Sequence, residues 1–420
     1  MNLLKVLFVN PPHWMDTGIH NNQNPGLGLL YLAGAIRDNH DVKVIDAEAI
    51  GLNWAQMGKV IKSVDPDIVG VTATTLSSYS QIKTVKLAQY IKPEVYTIIG
   101  GSHVSALPNK SLALTGADCA IVGEGENLID KVVTEKPKGL IRNGGKPLWE
   151  MLDPARDLLD PAVNSNAYVG NDPDTGHPET TVMWQRGCLH NCIFCCHSVY
   201  GQSWKHRSAD SICHELIELR DKYHMKSIFI YDDELIGMNI AQTEWLLEVC
   251  KAIKNYGISD LAFKSQGRCN PEVVTDELLD AMAEVNFKAM MMGCESGSNK
   301  VLKAIGKNLT TSDIEVTLKR LKNHGISTFT YWMIGNLYET PEDAMETIAF
   351  IQKIKSYIDE KHVTVFTPLP GSESWKIAMR NGWILNYDFR RYGQHGLPHC
   401  ATPWMNPEEV LFYERKLIEA

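Results

Sequence analysis

The segment RGCLHNCIFCC, residues 186–196, places Cys188, Cys192 and Cys195 in the spacing C-x3-C-x2-C. It follows a short apolar run at 181–185, which predicts a loop at the carboxyl end of a β-strand. Three thiolates at this spacing can wrap one corner of an iron–sulfur cube and leave the fourth iron without a protein ligand. Such an open iron can bind a substrate or a cofactor.

Outward from this loop, short apolar runs alternate with helical patterns along residues 181–390. This order predicts six βα units that form a partial (βα)6 TIM-like barrel. In such a barrel the chemistry lies at the carboxyl ends of the strands, which is where the cysteine segment falls. The candidate strands are Thr181–Gln185, Ser227–Tyr231, Leu261–Ser265, Ala289–Met292, Thr328–Met333 and His362–Phe366.

A structural zinc site is the alternative for the cysteine segment. Zinc sites of this kind take four ligands, usually from two C-x-x-C pairs far apart in sequence. His190, His197 or Cys196 could supply the fourth ligand. The position at a strand end of the barrel favours the cluster, and Cys196 is then expected to pack beside the cluster without binding it.

Residues 1–137 form a separate series of strands and helices, which predicts a doubly wound parallel sheet of the flavodoxin or Rossmann type. The loops 10–13 (NPPH), 100–103 (GGSH) and 123–126 (GEGE) follow its first, fourth and fifth strands. Glycines there either turn the chain or let backbone approach a bulky ligand. The G-x-G-x-x-G fingerprint and the P-loop are both absent, which disfavours a hydride-transferring dehydrogenase. The candidate strands are Leu4–Val9, Val42–Asp46, Ile68–Thr72, Tyr96–Gly100 and Cys119–Val122.

Two further regions complete the predicted domain organisation. Residues 138–180 are rich in proline and glycine and are predicted to be a connector between the two domains. Residues 391–420 are predicted to be a short C-terminal extension that ends in one helix.

The composition limits the class of protein. The chain has 420 residues, a net charge of −9 and ten cysteines. Because its net charge is negative, the chain as a whole lacks the positive charge that is typical of nucleic-acid-binding proteins. No apolar run approaches the roughly 18 residues that span a bilayer. Clustered cysteines in an otherwise cysteine-poor chain are typical of metal sites in a reducing compartment. We therefore expect a cytoplasmic protein without a membrane or nucleic-acid partner.

The cysteine spacing and the neighbouring aromatic Phe194 resemble the radical S-adenosylmethionine superfamily. The resemblance implies a 4Fe–4S cluster on Cys188, Cys192 and Cys195, with S-adenosylmethionine bound to the open iron by its amino and carboxylate groups. One electron from the reduced cluster then cleaves the cofactor to a 5′-deoxyadenosyl radical.

Motifs at the other strand ends resemble the same superfamily and imply contacts to S-adenosylmethionine. The run 231–234 (YDDE) implies contacts to the amino group, and Arg268 a contact to the carboxylate. The segment 292–298 (MGCESGS) resembles the ribose motif, 333–335 (MIG) the adenine motif, and 368–371 (PLPG) the end of the sixth strand. The implied contact residues are Phe194, Asp232, Asp233, Glu234, Arg268, Glu295, Ser296 and Gly335.

The first domain is similar to the cobalamin-binding domains of radical enzymes, through 25–33 (PGLGLLYLA) and the loops at 100–103 and 122–126; the segment 152–159 is similar to the piece that joins the two domains. The D-x-H-x-x-G motif that supplies a cobalt-binding histidine in classical cobalamin methyltransferases is absent, so the resemblance implies a nucleotide tail displaced into the crevice of the sheet. A flavodoxin-like domain that has lost its ligand is the alternative. The implied cobalamin contacts are Asn10, Pro11, Pro12, Leu27, Gly28, Thr72, Gly100, Gly101, Ser102, His103, Gly123, Glu124, Gly125 and Glu126.

The two implied cofactors divide the reaction between them. The deoxyadenosyl radical abstracts hydrogen from an unactivated carbon, and methylcobalamin donates a methyl group to that carbon or to a phosphorus centre. Relatives of the same architecture perform oxidative cyclisation or radical rearrangement without methyl transfer, and a non-catalytic iron–sulfur or cobalamin sensor is the alternative from another class. The expected partners are a small-molecule or peptide substrate and an electron donor of the flavodoxin or ferredoxin type.

Overall fold

The computed structural model describes residues 3–17, 26–142, 152–160, 163, 175–392 and 396–420. They form two compact units. The first unit comprises Met1–Val169 with two short segments from later in the chain, Cys196–Tyr200 and Asp388–Gly393. The second comprises Gly170–Cys195, Gly201–Tyr387 and Gln394–Ala420. Among the described residues no helix is long and apolar enough to cross a membrane.

The first unit is built on a parallel sheet with the strand order β2-β1-β3-β4-β5-β6. Its strands are largely buried on both faces, which explains why they appear in the sequence as continuous apolar runs. The order reverses at β1, and ligands of open α/β sheets bind at the carboxyl ends of the strands beside such a point. The strands are β1 Lys5–Asn10, β2 Asp41–Asp46, β3 Ile68–Thr72, β4 Tyr96–Gly100, β5 Cys119–Val122 and β6 Gly139–Arg142.

Helices cover the first sheet. The core holds apolar side chains of the strands, among them Leu7, Val69 and Ile99, packed against helix residues such as Met57 and Val85. The helices are α1 Trp14–Thr17, α2 Leu27–Ile36, α3 Trp54–Val64, α4 Ser78–Ile91, α5 Ser102–Ala106, α6 Pro108–Thr115 and α7 Ile129–Glu135.

The second unit is built on a parallel sheet whose strands follow chain order, β7-β10-β11-β12-β13-β14. Sequential βα units with parallel pairing place all the carboxyl ends at one edge, as in a partial TIM-like barrel. A short antiparallel pair, β8 with β9, flanks the cysteine segment. The strands are β7 Glu179–Val182, β8 Gln185–Arg186, β9 Lys205–His206, β10 Ser227–Ile230, β11 Ala262–Arg268, β12 Phe287–Glu295, β13 Ser327–Ile334 and β14 Glu360–Val365.

The helices of the second unit pack on the outside of this sheet around one large apolar core, which includes Trp184, Phe263 and Trp332. The last helix packs on this core through Val410 and Leu417. The helices are α8 Ala209–Asp221, α9 Ile240–Asn255, α10 Asp276–Glu284, α11 Asn299–Ala304, α12 Thr311–Asn323, α13 Pro341–Ile354, α14 Glu373–Arg380 and α15 Pro407–Glu419.

The structure confirms the α/β class and both parallel sheets, and it adds elements that the sequence does not predict. Strand β6 lies within residues 138–180, which the sequence assigns to a connector, and it pairs in parallel with β5. Residues 143–151, 161–162 and 164–174 of the predicted connector lie outside the described residues. The predicted domain limits of 137, 180 and 390 stay predictions.

Candidate active site

The cysteine segment forms the loop that leaves β8 at the carboxyl edge of the second sheet. Cys188 is half-buried, Cys192 is buried and Cys195 is exposed. The Cys195 thiol interacts electrostatically with both of the others, so the three thiols lie near one another. Three neighbouring thiols are the donor set that one corner-bound 4Fe–4S cluster requires, and the residues present fit that group.

Two carboxylates hold the start of this loop. Asp232 Oδ1 accepts hydrogen bonds from the backbone N–H groups of Trp184, at 2.8 Å, and Gln185, at 3.2 Å. Asp233 Oδ2 accepts one from the N–H of Gly187, at 2.7 Å. Gly187 has φ 89°, and a Cβ there would lie 2.1 Å from the Ser203 carbonyl oxygen. Only glycine fits at this turn.

The far end of the loop is tied to the turn after α11 and to the start of α14. The Ile193 N–H donates to the Ile305 carbonyl at 2.9 Å, and the Ser374 N–H donates to the Ile193 carbonyl at 2.8 Å. Gly306 has φ 70°, and a Cβ there would lie 2.8 Å from the Asn191 carbonyl oxygen. Backbone contacts on both sides therefore hold the loop in place.

A carboxylate and an imidazole lie beside Cys188. The Cys188 Sγ is 3.5 Å from Glu234 Oε2, and His190 Nε2 is 3.2 Å from Glu234 Oε1. One ligand atom from each of Cys188, His190 and Glu234 lies within 4.8 Å of the others, a spacing that could hold a single metal ion. This arrangement keeps the mononuclear alternative open on geometry alone, although it leaves out Cys192 and Cys195.

Two buried cations lie on the other side of the thiols. Arg268 Nη1 is 3.7 Å from Cys192 Sγ. Lys307 Nζ is 2.9 Å from Glu295 Oε1. Gly293 makes room for this ion pair, because a Cβ there would lie 2.6 Å from the Glu295 oxygen and 2.9 Å from Nζ. Lys307 was not predicted, because it follows a short helix in a G-K-N run that is typical of a surface turn.

The residues predicted to bind S-adenosylmethionine lie at the carboxyl ends of β10 to β13, but several already have protein partners. Asp232 and Asp233 hold the cysteine loop, as described above. The Ser296 hydroxyl is 3.2 Å from that of Thr347. A Cβ on Gly335, which has φ 83°, would lie 3.0 Å from Val410 Cγ1, so this glycine makes room for the last helix.

Buried side-chain oxygens without a hydrogen-bond partner in the described residues remain along the same strand ends. They are Asp232 Oδ2, next to the loop, and Asn336 Oδ1 with Glu339 Oε1, after β13. The other carboxylate oxygen of Glu339 accepts from the N–H groups of Gly335 and Asn336. Unpaired buried acceptors favour a ligand that brings N–H and O–H donors, as S-adenosylmethionine does. Asn336 and Glu339 were not predicted, since nothing in the sequence shows that they are buried.

The first unit has its own candidate site at the carboxyl edge of its sheet. Gly101 has φ 101°, and a Cβ there would lie 2.5 Å from the Ala73 carbonyl oxygen and 2.8 Å from Thr72 Oγ1. This glycine therefore joins the loop after β4 to the loop after β3. His103 Nδ1 lies 3.3 Å from Thr75 Oγ1, and burial lowers the pKa of His103 to about 4, with a smaller effect from Lys110. The imidazole is neutral at pH 7.

A buried acidic pair lies at the ends of β1 and β2. Asp46 Oδ1 accepts from Asn10 Nδ2 at 2.9 Å, and Glu48 Oε2 lies 3.1 Å from His13 Nδ1. Asp46 Oδ2 and Glu48 Oε1 are buried and have no hydrogen-bond partner among the described residues. Because the side-chain amides of cobalamin are rich in N–H donors, these acceptors fit that group. Asp46 and Glu48 were not predicted as site residues.

The other predicted cobalamin contacts surround the same edge. Pro11, Pro12 and Leu27 are buried, and a Cβ on Gly28 would meet nothing within 4 Å. Gly123, with φ 85°, donates its N–H to Ser105 Oγ at 3.0 Å. The rest lie in the same loops or at the ends of strands, namely Gly100, Ser102, Glu124, Gly125 and Glu126.

Replacing Asp232 with asparagine tests the electrostatics of the loop. Burial raises the pKa of Asp232 to about 8, against the opposing backbone hydrogen bonds of Gln185 and Trp184. Between the unfolded pKa of about 4 and that value, the native state holds a proton that the unfolded chain has lost, so the free energy of unfolding falls as pH rises, by at most about 1.4 kcal/mol per pH unit.

Between pH 5 and pH 8 the free energy of unfolding is expected to fall by about 2–4 kcal/mol less in Asp232→Asn than in the parent protein. The reason is that an asparagine oxygen accepts the same hydrogen bonds without titrating. Urea unfolding at several pH values measures this, with the exposed Asp221→Asn as control. An unchanged decline would show that Asp232 is ionised in the folded protein.

Comparison with known proteins identifies a known domain in each of the two units. Residues 182–351 match the Radical SAM superfamily, and residues 21–133 match the B12 binding domain. The uncharacterized methyltransferase PH0819 of Pyrococcus horikoshii is 31% identical over 93% of this chain and 87% of its own length. The anaerobic magnesium-protoporphyrin IX monomethyl ester cyclase of Rubrivivax gelatinosus is 23% identical over 97% of this chain and 74% of its own.

A solved structure shows the same fold. The cobalamin-dependent S-adenosylmethionine radical enzyme OxsB with aqua-cobalamin bound is similar with a TM-score of 0.77 and 16% identity, over 99% of this chain and 66% of that chain. The resemblances that the sequence motifs suggest are thereby confirmed for both the barrel and the first sheet.

Proposed function

We propose, from the premise that this chain belongs to the cobalamin-binding radical S-adenosylmethionine enzymes, that it methylates an unactivated carbon or phosphorus centre of a small molecule. The family uses a 4Fe–4S cluster, S-adenosylmethionine and cobalamin. When bound, the cluster and S-adenosylmethionine supply a carbon-centred radical, and cobalamin supplies a transferable methyl group.

Cys188, Cys192 and Cys195 are the proposed cluster ligands, and Cys196 is not one. Support comes from the proximity of the three thiols and from the hydrogen bonds that hold the backbone of their loop at both ends. Asp232 and Asp233 act on the loop through its backbone N–H groups, which makes them positioning residues in this proposal.

The proposed S-adenosylmethionine contacts are the strand-end groups that still have acceptor or donor capacity. Glu234, Glu295 and Arg268 face the thiols, and Phe194 packs beside them in the apolar cluster formed by Leu337 and its neighbours. Ser296 and Gly335 lie on the adjoining strand ends. The unpaired oxygens of Asn336 and Glu339 supply further acceptors, and Asp232 Oδ2, which carries the proton of that carboxyl group below its pKa of about 8, supplies a donor.

Cobalamin is proposed to bind at the carboxyl edge of the first sheet, over the first turn of α2, which contains Gly28, and the loops that contain Gly101 and Gly123. The unpaired oxygens of Asp46 and Glu48 would accept hydrogen bonds from its amides. His103 is neutral, so one of its ring nitrogens can accept a hydrogen bond there and the other can donate one.

One observation favours methyl transfer over cyclisation. The relative that shares 31% identity along nearly the full length of both chains is a methyltransferase, whereas the cyclase shares 23%. Oxidative cyclisation is the second candidate, supported by the cyclase's similarity over 97% of this chain. A sensor role is disfavoured by the polar groups at several barrel strand ends, which a sensor does not need.

A one-electron donor of the flavodoxin or ferredoxin type is part of the proposal, since the cluster must be reduced before each radical is formed. A peptide substrate is the alternative to a small molecule.

A product assay with a pool of small metabolites as methyl acceptor and hydrogen donor separates these functions before the substrate itself is identified. The loaded enzyme is incubated without oxygen with reductant and S-adenosylmethionine, and two products are quantified. Methyl transfer requires S-adenosylhomocysteine together with 5′-deoxyadenosine, because one cofactor molecule loses its methyl group and another its adenosyl group. Cyclisation or rearrangement yields 5′-deoxyadenosine alone, and a sensor yields neither. The Cys192→Ala variant is the negative control for 5′-deoxyadenosine.

A further inference from the structure

The thiols of the candidate site have an uneven electrostatic environment. The Cys188 side faces Glu234 and His190, whereas the Cys192 side faces Arg268 and Lys307. These two cations are almost fully buried, with 3% and 7% of their surface exposed. Buried cations are rare unless they are paired, so the partners of each one show what it does.

The two cations differ in their partners. Lys307 pairs with Glu295 at 2.9 Å, and both members of this pair are buried, so together they add no net charge. Arg268 forms no ion pair with a carboxylate in the described part of the chain, and its side-chain hydrogen bond goes to Cys192 Sγ at 3.7 Å. Within those residues, the Cys192 thiolate is therefore the anionic partner of Arg268.

The position of Arg268 is fixed by its backbone. Its N–H donates to the Ile236 carbonyl at 2.9 Å. A Cβ on Gly237, which has φ 104°, would lie 2.3 Å from the Arg268 carbonyl oxygen, so this close approach requires glycine. Arg268 ends β11 in direct register with Gly293, the residue that makes room for the Glu295–Lys307 pair. The strand pairing thus places Arg268 next to the strand position that makes room for the Glu295–Lys307 pair.

We propose that Arg268 is a positioning residue for the cluster, which binds the Cys192 thiolate and raises the reduction potential of the cluster, and that Lys307 cancels the opposing charge of Glu295. This inference rests on the proposed cluster ligation. Reduction adds one electron to a group that already carries three thiolates, and a buried cation a few ångströms away stabilises the added charge. A donated N–H···S hydrogen bond acts in the same direction.

Charge-removing variants test the proposal by potentiometry. The midpoint potential of the reconstituted cluster is measured by electron paramagnetic resonance in the absence of S-adenosylmethionine, for Arg268→Met, Arg268→Lys, Lys307→Met and the double variant Lys307→Met with Glu295→Gln. Iron per chain is measured on each sample, so that only cluster-containing protein is compared.

The expected pattern follows from the charges. Arg268→Met lowers the ratio of reduced to oxidised cluster at a fixed potential at least ten-fold, which is a shift of about 59 mV for one electron. Arg268→Lys is expected to leave the midpoint potential of the cluster close to that of the parent protein, because it keeps the positive charge. Lys307→Met also lowers that ratio, because it leaves the Glu295 carboxylate unopposed, and the double variant restores it. Lys300→Met is the matched control, since Lys300 is an exposed lysine on α11 whose ammonium pairs with Asp343 of α13.

Each other outcome has a separate meaning. An unchanged potential in Arg268→Met and Lys307→Met, with the cluster intact, overturns the inference and leaves the proposed function standing. If Arg268→Met weakens S-adenosylmethionine binding in equilibrium dialysis but leaves the potential unchanged, Arg268 serves only as the proposed contact to the cofactor and the inference about the potential is wrong. Absence of iron in the parent protein contradicts the proposed function itself. If Arg268→Met fails to assemble a cluster, the single and double variants at Lys307 still decide the electrostatic claim.

Discussion

Cys192→Ala is expected to reduce the iron content of the anaerobically reconstituted protein from about four atoms per chain to nearly none. Cys192 lies in the middle of the loop, buried between Arg268 and the turn at Gly306, and its Sγ is 3.8 Å from the Gly306 carbonyl oxygen. Loss of this thiolate leaves two ligands, which cannot hold one corner of the cube. Iron and sulfide analysis with the visible absorption spectrum measures the loss.

The neighbouring cysteine provides a matched control. Cys196 Sγ lies 2.9 Å from the Ser198 hydroxyl, so Cys196→Ala is expected to keep its iron. The reverse result, with iron retained in Cys192→Ala and lost in Cys196→Ala, would contradict the proposed ligand set. Loss of iron in His190→Ala alone would instead favour the mononuclear site of Cys188, His190 and Glu234.

Gly101→Ala is expected to destabilise the first unit by about 2–4 kcal/mol, because it combines a positive φ with a steric overlap. The added Cβ would lie 2.5 Å from the Ala73 carbonyl oxygen and 2.8 Å from the Ala73 nitrogen, and neither backbone atom can move without displacing β3 or its loop. We expect cobalt retention after removal of unbound hydroxocobalamin to fall below half of the parent value, with iron per chain unchanged.

Gly58→Ala is the control in the same unit. Gly58 lies within α3, and its Cβ would meet side chains only at 3.7 Å and beyond, so alanine should stabilise the helix by about 0.5–1 kcal/mol. Thermal unfolding and cobalt analysis measure both variants. A Gly101→Ala protein with full stability and full cobalt content would show that this loop adopts another conformation and does not limit the cobalamin site.

The sequence predicts the central strands of both sheets because they are buried on both faces. The runs Ile68–Thr72, Tyr96–Gly100 and Cys119–Val122 match β3, β4 and β5. Strand β6 was missed because it is a half-buried edge strand after Pro137 that contains Gly139, so neither its hydrophobicity nor its composition differs from that of a loop.

The candidate site was predictable where a motif is contiguous and not where burial determines the role. The cysteine spacing is visible in eleven residues, whereas Lys307 becomes significant only when the bulge in β12 places Glu295 beside it. The motif also identifies the acidic run 231–234 without showing what each carboxylate does. Asp232 and Asp233 accept hydrogen bonds from the loop backbone, and only tertiary structure reveals those bonds.

Metal analysis of the parent protein tests the central claim, that one chain holds both a radical-generating cluster and cobalamin. The protein is purified without oxygen, its cluster is rebuilt, hydroxocobalamin is added and the unbound excess is removed, and iron, sulfide, cobalt and zinc are quantified on the same sample. We predict about four irons, four sulfides and one cobalt per chain. Zinc in place of iron, or no cobalt with a folded first unit, would contradict the account.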